Sequence, residues 1–350
     1  MIEVGGVAED ERSSFVRAFA TAFSNVFEQE LVDRLLALFD DGVYRAIAAR
    51  EDGRIVGTAL ELPLELTVRP DVTVPCRGIT WLGVLPTHRR RGVMRALLDD
   101  HLAACANGGA VASLLHASNS GLYLSRGYGV ATRRARVRLA VPHIAFRAPP
   151  PELALRLVEP AAALDACQAV WERCRTATPG FTTRPDPELQ WALDELKGFC
   201  VFAGDDGYAL YRVEREWPGP DAQYRVVVHQ LQAATPGAYA ALWQYLCGLT
   251  HTTEIVADLR PVDEPLQHLV TEPRRVDISH AGDGVWLKPV DRAALCAARG
   301  LPDPGVTDEA LANLLLGAFT PDALVRGGKI APGQADAWTS PVAPWSPLDF

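Results

Sequence analysis

The chain has 350 residues, enough for two or three domains, and its 48% hydrophobic and 22% charged residues have the balance of a folded soluble protein. A formal net charge of -9 excludes the broadly basic face that general nucleic-acid binding requires, and is compatible with a cationic partner. The seven cysteines (Cys76, Cys105, Cys167, Cys174, Cys200, Cys247 and Cys296) form no CxxC pair or Cys/His zinc spacing, so they read as reduced, packed thiols with no metal role. The start, MIEVGGVAEDERSS, lacks the basic and apolar segments of a signal peptide, and no apolar run reaches the roughly 18 residues of a membrane span. A cytoplasmic location without membrane contact is expected.

In chain order, residues 13–22 and 29–39 carry apolar side chains at helical spacing (Phe15 and Phe19; Leu31, Leu35, Leu36 and Leu38) and predict two helices. VYRAIAARED and RIVGTALELPLELTV predict two strands turning at Asp52-Gly53, a dipeptide suited to a tight hairpin. ITWLGVL (79–85) reads as a third, apolar strand, and residues 92–106 as a helix closed by Gly108-Gly109. A strand at 110–116, a short helix around Tyr123 and an alternating strand at 129–140 complete a first unit.

HIAFRAPPPELAL (143–155), with three consecutive prolines, reads as a stiff linker. A helix at 162–175 follows, then strands in KGFCVFAG, DGYALYRVERE and QYRVVVHQLQA, a helix at 236–250 and a strand at EIVADLR. This order repeats that of the first unit, but no arginine-glycine turn precedes its helix. Residues 284–350 are short and proline-rich. They predict a strand at VWLKPVD, helices at 292–299 and 307–319, and an extended tail, WTSPVAPWSPLDF.

The chemistry concentrates where ITWLGVL runs into PTHRRRGVMR (86–95). A helix N-terminus leaves N–H groups unpaired and carries the positive end of the helix dipole, so it attracts anions. Arginines beside it add charge and bidentate phosphate contacts. Neither a Walker loop nor G-x-G-x-x-G is present, and what remains is R-x-x-G-x, spelled by Arg89, Arg90, Arg91, Gly92 and Val93. This reads as a pyrophosphate seat. On the motif alone, a solvated basic turn is equally open.

ITWLGVLPTHRRRG has the form of the acetyl-CoA-binding segment of GNAT acetyltransferases, with Met94 where their Q/R-x-x-G-x-G/A pattern ends in a small residue. VLPTHRRRGVMRALL followed by LLHASNSGLYLSRGYGVAT (114–132) resembles the Eis (enhanced intracellular survival) family of actinobacterial N-acetyltransferases. DGYALYRVERE, AALWQYLCGLT and LVTEPRRVDISHAGDGVWLKPVD resemble that family's central, catalytically silent GNAT-like domain, and APWSPLDF its aromatic-terminated tail.

The resemblance implies an α+β fold of tandem GNAT-like domains, with mixed, splayed central sheets and flanking helices. It divides the chain into a catalytic domain (1–142), a second GNAT-like domain (143–282) and a shortened, sterol-carrier-like α/β region (283–350) whose tail returns to the active site. The implied activity is direct acetyl transfer from acetyl-CoA, through a tetrahedral intermediate and with no metal, to a primary amine of an aminoglycoside- or lysine-like small molecule. Aminoglycoside acetylation is an antibiotic-resistance activity. In S-N-S-G-L-Y the general acid falls on Tyr123, with neighbouring Tyr128 the other candidate, and the general base on the C-terminal carboxylate of Phe350.

Leu82 and Val84 are implied to pair with pantetheine, Arg89, Arg90, Gly92 and Val93 to hold the pyrophosphate, and Ser118 and Ser120 to lie beside the thiol. Phe23, Asn25, Trp81 and Asp349 are implied to face the acceptor, with Glu28 and Glu30 as nearby acidic residues. The resemblance also implies a homo-oligomer. Two alternatives stay open: an acyltransferase dedicated to one natural product, and a catalytically silent CoA-binding scaffold.

Overall fold

The computed structural model describes residues 2–39, 42–149, 152–217 and 221–348. The chain opens with β1 (Ile2–Gly6), α1 (Arg12–Ala22), α2 (Gln29–Ala37), β2 (Arg45–Glu51) and β3 (Arg54–Arg69). β2 and β3 form the expected hairpin, and positive φ at both Asp52 (50°) and Gly53 (74°) gives its turn the twist that antiparallel strands need. β4 (Val72–Val84), α3 (Val93–Asn107), β5 (Ala112–His116), α4 (Ser120–Leu124) and β6 (Gly129–Val130) follow. β4 thus begins before ITWLGVL, as the returning arm of a long hairpin with β3. Val93, Leu97, His101 and Cys105 are buried along α3 at four-residue spacing, so one face of the helix lies against the sheet.

The second unit contains β7 (Arg133–Ala140), β8 (Leu155–Val158), α5 (Leu164–Ala177), α6 (Asp186–Glu195), β9 (Phe199–Ala203), β10 (Gly207–Glu216), β11 (Gln223–Ala233), α7 (Pro236–Cys247), β12 (Thr252–Arg260), α8 (Leu266–Leu269) and β13 (Val276–Asp283). β14 (Val285–Pro289), α9 (Arg292–Arg299), α10 (Asp308–Leu315) and α11 (Pro321–Arg326) complete the elements. There are two seven-stranded sheets, in the orders β1-β2-β3-β4-β5-β14-β6 and β13-β7-β12-β11-β10-β9-β8.

The sheets do not follow the expected linear division. The strand expected at 129–140 breaks into β6, in the first sheet, and β7, in the second, while β14 returns to the first sheet between β5 and β6. The two segments cross at Thr132 and Gly284. There Gly284 N donates to Thr132 O (2.9 Å), and Val285 N donates to Thr132 Oγ1 (2.8 Å). A Cβ on Gly284 would lie 2.5 Å from Thr132 Oγ1, so the crossing requires glycine.

Helices α9 to α11 cover one face of the first sheet, where Leu295, Leu311, Leu315 and Leu324 join Leu62, Leu64 and Leu66 in one core cluster. Among the described residues, the C-terminal region has no sheet of its own. Its strand, VWLKPVD, is β14. The tail runs onto the second unit, where Trp345 and Leu348 share a core with Trp171, Phe181, Leu189 and Leu193. Trp345 Nε1 donates to Leu259 O (2.8 Å), its backbone N–H to Pro179 O (3.0 Å), and the Arg260 guanidinium lies 4.9 Å from its ring.

Candidate active site

β4 and β5 are parallel, and their pairing ends at Gly78–Leu114, whereas β4 continues to Val84. Among the described residues, no strand covers the β5-facing edge of Leu82–Val84. A bulge accompanies this splay: Thr58 pairs with Gly83 and Leu60 with Thr80, leaving Trp81 and Leu82 opposite Ala59. Trp81 has φ of 51°, and its carbonyl accepts a hydrogen bond from Thr58 Oγ1 (2.9 Å). A positive φ at such a bulky residue is uncommon and costs about 1–3 kcal/mol. The surrounding hairpin must hold it there.

The splayed edge opens into a cleft of about 710 Å³ whose lining includes Leu82, Gly83, Val84, Arg89, Arg90, Gly92, Val93, Ser118 and Asn119. Gly92, in the left-handed conformation (φ 83°), is the N-cap of α3 and makes no side-chain cap bond. The first N–H groups of α3 therefore face the cleft without the hydroxyl cap common at helix starts. The equivalent helix of the second unit, α7, is capped by Thr235, whose hydroxyl accepts from Ala238 N (3.3 Å). The two helix starts thus differ in their capping, and only the first follows an arginine-glycine turn.

The three arginines have separate tasks. Arg89 donates to Ala22 O (3.1 Å), tying the turn to the end of α1. Arg91 points away from the cleft and donates to Glu51 (2.7 Å), which His88 also meets at 3.2 Å. Arg90, at φ 60°, lines the cleft. Tyr123 does not itself line the cleft: it is buried behind Ser118 and Leu122, which do, with its ring edge-on to Tyr128, centroids 5.9 Å apart. Burial pushes the Tyr123 phenol above its ordinary value, and a hydrogen bond with Ser118 pulls it partly back.

Across the bulge lies a second cavity, of about 350 Å³, lined by Phe19, Phe27, Leu31, Leu35, Leu38, Tyr44, Leu60, Leu62, Thr80, Trp81, Glu188 and Trp191. Glu188 and Trp191 come from α6 of the second unit. Three residues apart, they share a helix face, while Leu189 and Leu193 anchor α6 in the core that also holds Leu348. The two cavities meet β4 on either side of Trp81–Leu82.

The comparisons with known proteins agree with this arrangement. Residues 3–131 and 163–285 each match the acetyltransferase (GNAT) domain family. The chain is 34% identical over 310 residues to N-acetyltransferase Eis of Mycobacterium tuberculosis (strain ATCC 25177 / H37Ra), covering 83% of this chain and 75% of that protein. The same values hold for Eis of Mycobacterium bovis (strain BCG / Pasteur 1173P2). The crystal structure of Eis1 from Mycobacterium abscessus superposes with a TM-score of 0.87 at 28% identity, over 99% of this chain and 100% of that one. The chain belongs to the Eis family of N-acetyltransferases. A GCN5-related N-acetyltransferase from Anabaena variabilis shares the fold (TM-score 0.83, 17% identity, all of both chains).

GNAT acetyltransferases take their acetyl group from acetyl-CoA, and the cleft of this Eis-family chain has features that fit it: an uncapped helix start, the three guanidinium groups of Arg89, Arg90 and Arg95, and a strand edge without a neighbour among the described residues. Of the residues expected at the co-substrate, Leu82, Val84, Arg89, Arg90, Gly92, Val93 and Ser118 line this cleft. Ser120 does not. It opens α4, and Asn119 lines the cleft instead.

Trp81 lines the second cavity and Phe23 the cleft, while Asn25 is exposed and lines neither; Glu28 and Glu30 are exposed at the start of α2 and line neither as well. Asp349 and Phe350 lie outside the described residues. The sequence reading missed Glu188 and Trp191. The acidic first turn and proline of DPELQWALDE signal a helix, but nothing in it signals that one face reaches another domain's cavity.

Also missed was a buried polar chain under the first sheet. His101 Nδ1 lies 2.6 Å from Glu61 and Nε2 2.7 Å from Ser113 Oγ, which is 2.6 Å from the Tyr128 hydroxyl. Arg45 closes the outer end on Glu61 at 2.9 Å. Burial raises Glu61, but the hydrogen bonds from His101 and Arg45 outweigh it and hold the carboxyl below its ordinary value. Tyr128 is thus bonded to Ser113, whereas Tyr123 is bonded to Ser118, which lines the cleft.

Proposed function

We propose that the first unit catalyses direct acetyl transfer from acetyl-CoA to a primary amine of a small molecule, with Tyr123 as general acid and the Phe350 carboxylate as general base. The observation that carries this reading is the juxtaposition of two cavities across the Trp81–Leu82 bulge, one with an open helix start and one without. In the reaction the amine nitrogen bonds to the acetyl carbon as the carbon–sulfur bond breaks. The departing thiolate takes the Tyr123 proton, and the carboxylate takes the proton of the amine. Arg89, Arg90 and the N–H groups at Gly92 and Val93 hold the pyrophosphate, the Leu82 and Val84 backbone the pantetheine amides, and Ser118 flanks the thiol. Residues 143–282 act as support for the catalytic unit, and residues 283–350 deliver the tail.

The placement of the tail supports the assignment of the base. Leu348 packs in the same core as Leu189 and Leu193, on the helix whose Glu188 and Trp191 line the acceptor cavity. The family reading extends to aminoglycoside- or lysine-like polyamines, with Trp81 and Asp349 at the acceptor, and to a cytoplasmic homo-oligomer. A second reading, one dedicated acceptor, is favoured by the apolar lining of that cavity.

The test is release of CoA thiol from acetyl-CoA against a panel of amines, with the acetylated amine identified by mass. One thiol per acetylated amine is expected, and Tyr123→Phe lowers kcat by about 10²–10⁴-fold with acetyl-CoA affinity unchanged. An unchanged kcat removes Tyr123 from the mechanism. Tight acetyl-CoA binding with no amine turned over favours the scaffold.

A further inference from the structure

Given acetyl transfer with Tyr123 as general acid, on which this rests, we propose that Glu61, His101, Ser113 and Tyr128 are positioning residues. Together they hold the Tyr123 phenol on Ser118, which lines the cleft. All four are fully buried and come from separate stretches: Glu61 from β3, His101 from α3, Ser113 from β5 and Tyr128 from the turn between α4 and β6.

Their protons run in one direction. The Tyr128 hydroxyl meets Ser113 Oγ (2.6 Å) and no other acceptor among the described residues. Its proton therefore goes to Ser113, the Ser113 proton to His101 Nε2 (2.7 Å), and the His101 Nδ1–H to Glu61 (2.6 Å). Cys105 Sγ lies 3.5 Å from the same Nε2, and burial pushes its thiol up to about 12, so it too donates and marks Nε2 as the acceptor. The opposite tautomer would turn the Ser113 proton onto Tyr128 and leave the Tyr128 proton unbonded. Arg45 anchors Glu61 at 2.9 Å, with Arg77 at 3.6 Å.

Two links carry this order to Tyr123. Tyr128 N donates to Tyr123 O (3.1 Å) and the two rings meet edge-on, so a fixed Tyr128 hydroxyl fixes the ring on which Tyr123 packs. Ser113 belongs to the next-to-last pair of the β4–β5 ladder, just before those strands part, and β5 leads from there towards Ser118. Both partners of the Tyr123–Ser118 bond are thereby tied to one chain. A buried polar chain adds little net stability over an apolar core of equal volume, but it selects a single arrangement.

The experiment uses the full chain with acetyl-CoA and the best acceptor among kanamycin, spermidine and tryptamine. The ring resonances of Tyr123, assigned with Tyr123→Phe in tyrosine-labelled protein, are recorded alongside. Tyr128→Phe and Ser113→Ala should each lower kcat about tenfold, as a misplaced group does, with the acetyl-CoA KM within about twofold and the melting temperature within about 5 °C. The double variant should be no slower than either single one, and in a Tyr123→Phe background Tyr128→Phe should have no further effect. His101→Gln, whose amide can donate to Glu61 and accept from Ser113, should keep kcat within about threefold, whereas His101→Leu should lose about tenfold. Ser113→Ala, two links away, should move the Tyr123 resonances.

Unchanged kcat and unmoved resonances in Ser113→Ala overturn the proposal. So does a loss from Tyr128→Phe that is as large in the Tyr123→Phe background, or a His101→Gln enzyme as slow as His101→Leu, since either marks general loosening. Full turnover in Tyr123→Phe, or no amine acetylated, removes the general-acid reading and leaves the resonances to decide: moved in Ser113→Ala, the positioning stands; unmoved, it is overturned.

Discussion

Gly92 shows how much one residue decides. Its φ of 83° starts α3 without a side-chain cap, and a Cβ there would meet nothing within 4 Å, so an alanine is opposed by backbone conformation and not by packing. That conformational cost is about 1–2 kcal/mol. Gly92→Ala should therefore lower the melting temperature slightly and weaken acetyl-CoA by about tenfold, as the helix start turns away from its anion. Calorimetric titration checks it; an unchanged affinity would place the pyrophosphate elsewhere. At this scale the sequence was most informative where geometry is local. An arginine-glycine turn between an apolar strand and a helix has few uses, and Leu82, Val84, Arg89, Arg90, Gly92 and Val93 all line one cleft. Glu188 and Trp191 stayed hidden because their role depends on a contact between units that are far apart in the chain.

At the scale of elements, the hairpins and helices followed their periodicity closely, down to the Asp52-Gly53 turn and α9 at Arg292–Arg299. Strand partners did not. GVATRRARVRLA alternates as one strand, and nothing in that alternation marks the crossing at Thr132, which requires Gly284 from the other end of the second unit. The tail is the other element whose function lies beyond its local pattern. Trp345 is held by two hydrogen bonds and by the Arg260 guanidinium, and Arg260 in turn pairs with buried Glu264 at 2.7 Å. Trp345→Ala should cost about 3–5 kcal/mol through the cavity it leaves. Deleting Asp349 and Phe350 should instead leave the melting curve unchanged and cut kcat by about 10²–10⁴-fold, with acetyl-CoA affinity retained. Unchanged turnover after that deletion assigns the base to another group.

At the scale of the whole molecule, the C-terminal helices are bound to the first sheet by burial and by an ionic cluster. Arg292 donates to both Asp303 oxygens (3.0 and 2.7 Å) and to Asp308 (2.8 Å), which Lys288 also meets at 3.1 Å. Hydrogen bonds from Arg292 hold Asp303 below its ordinary value. Burial pushes Asp308 up, but Arg292 and Lys288 outweigh it and hold that carboxyl low as well. Groups with depressed folded-state values stabilise the fold fully at neutral pH and lose that contribution as pH falls through those values. The cluster should therefore hold down to about pH 4, the ordinary aspartate range, and loosen progressively below it. Hydrogen exchange in α9 and α10 reads this directly, and Arg292→Ala should abolish the pH dependence in that region. Protection that is flat below pH 4 in the unaltered protein would assign the docking of these helices to their apolar contacts alone.

The strand crossing also has a temporal side. β14 sits between β5 and β6, so the first sheet cannot be completed until residue 289 has left the ribosome. At ordinary elongation rates the nascent first unit waits on the order of ten seconds with a gap beside β5. During that interval its unpaired backbone is open to other nascent chains. Synthesis of this enzyme is thus exposed to mispairing at a stage when its arginine-glycine turn is already made, and separate expression of either half would leave one sheet a strand short.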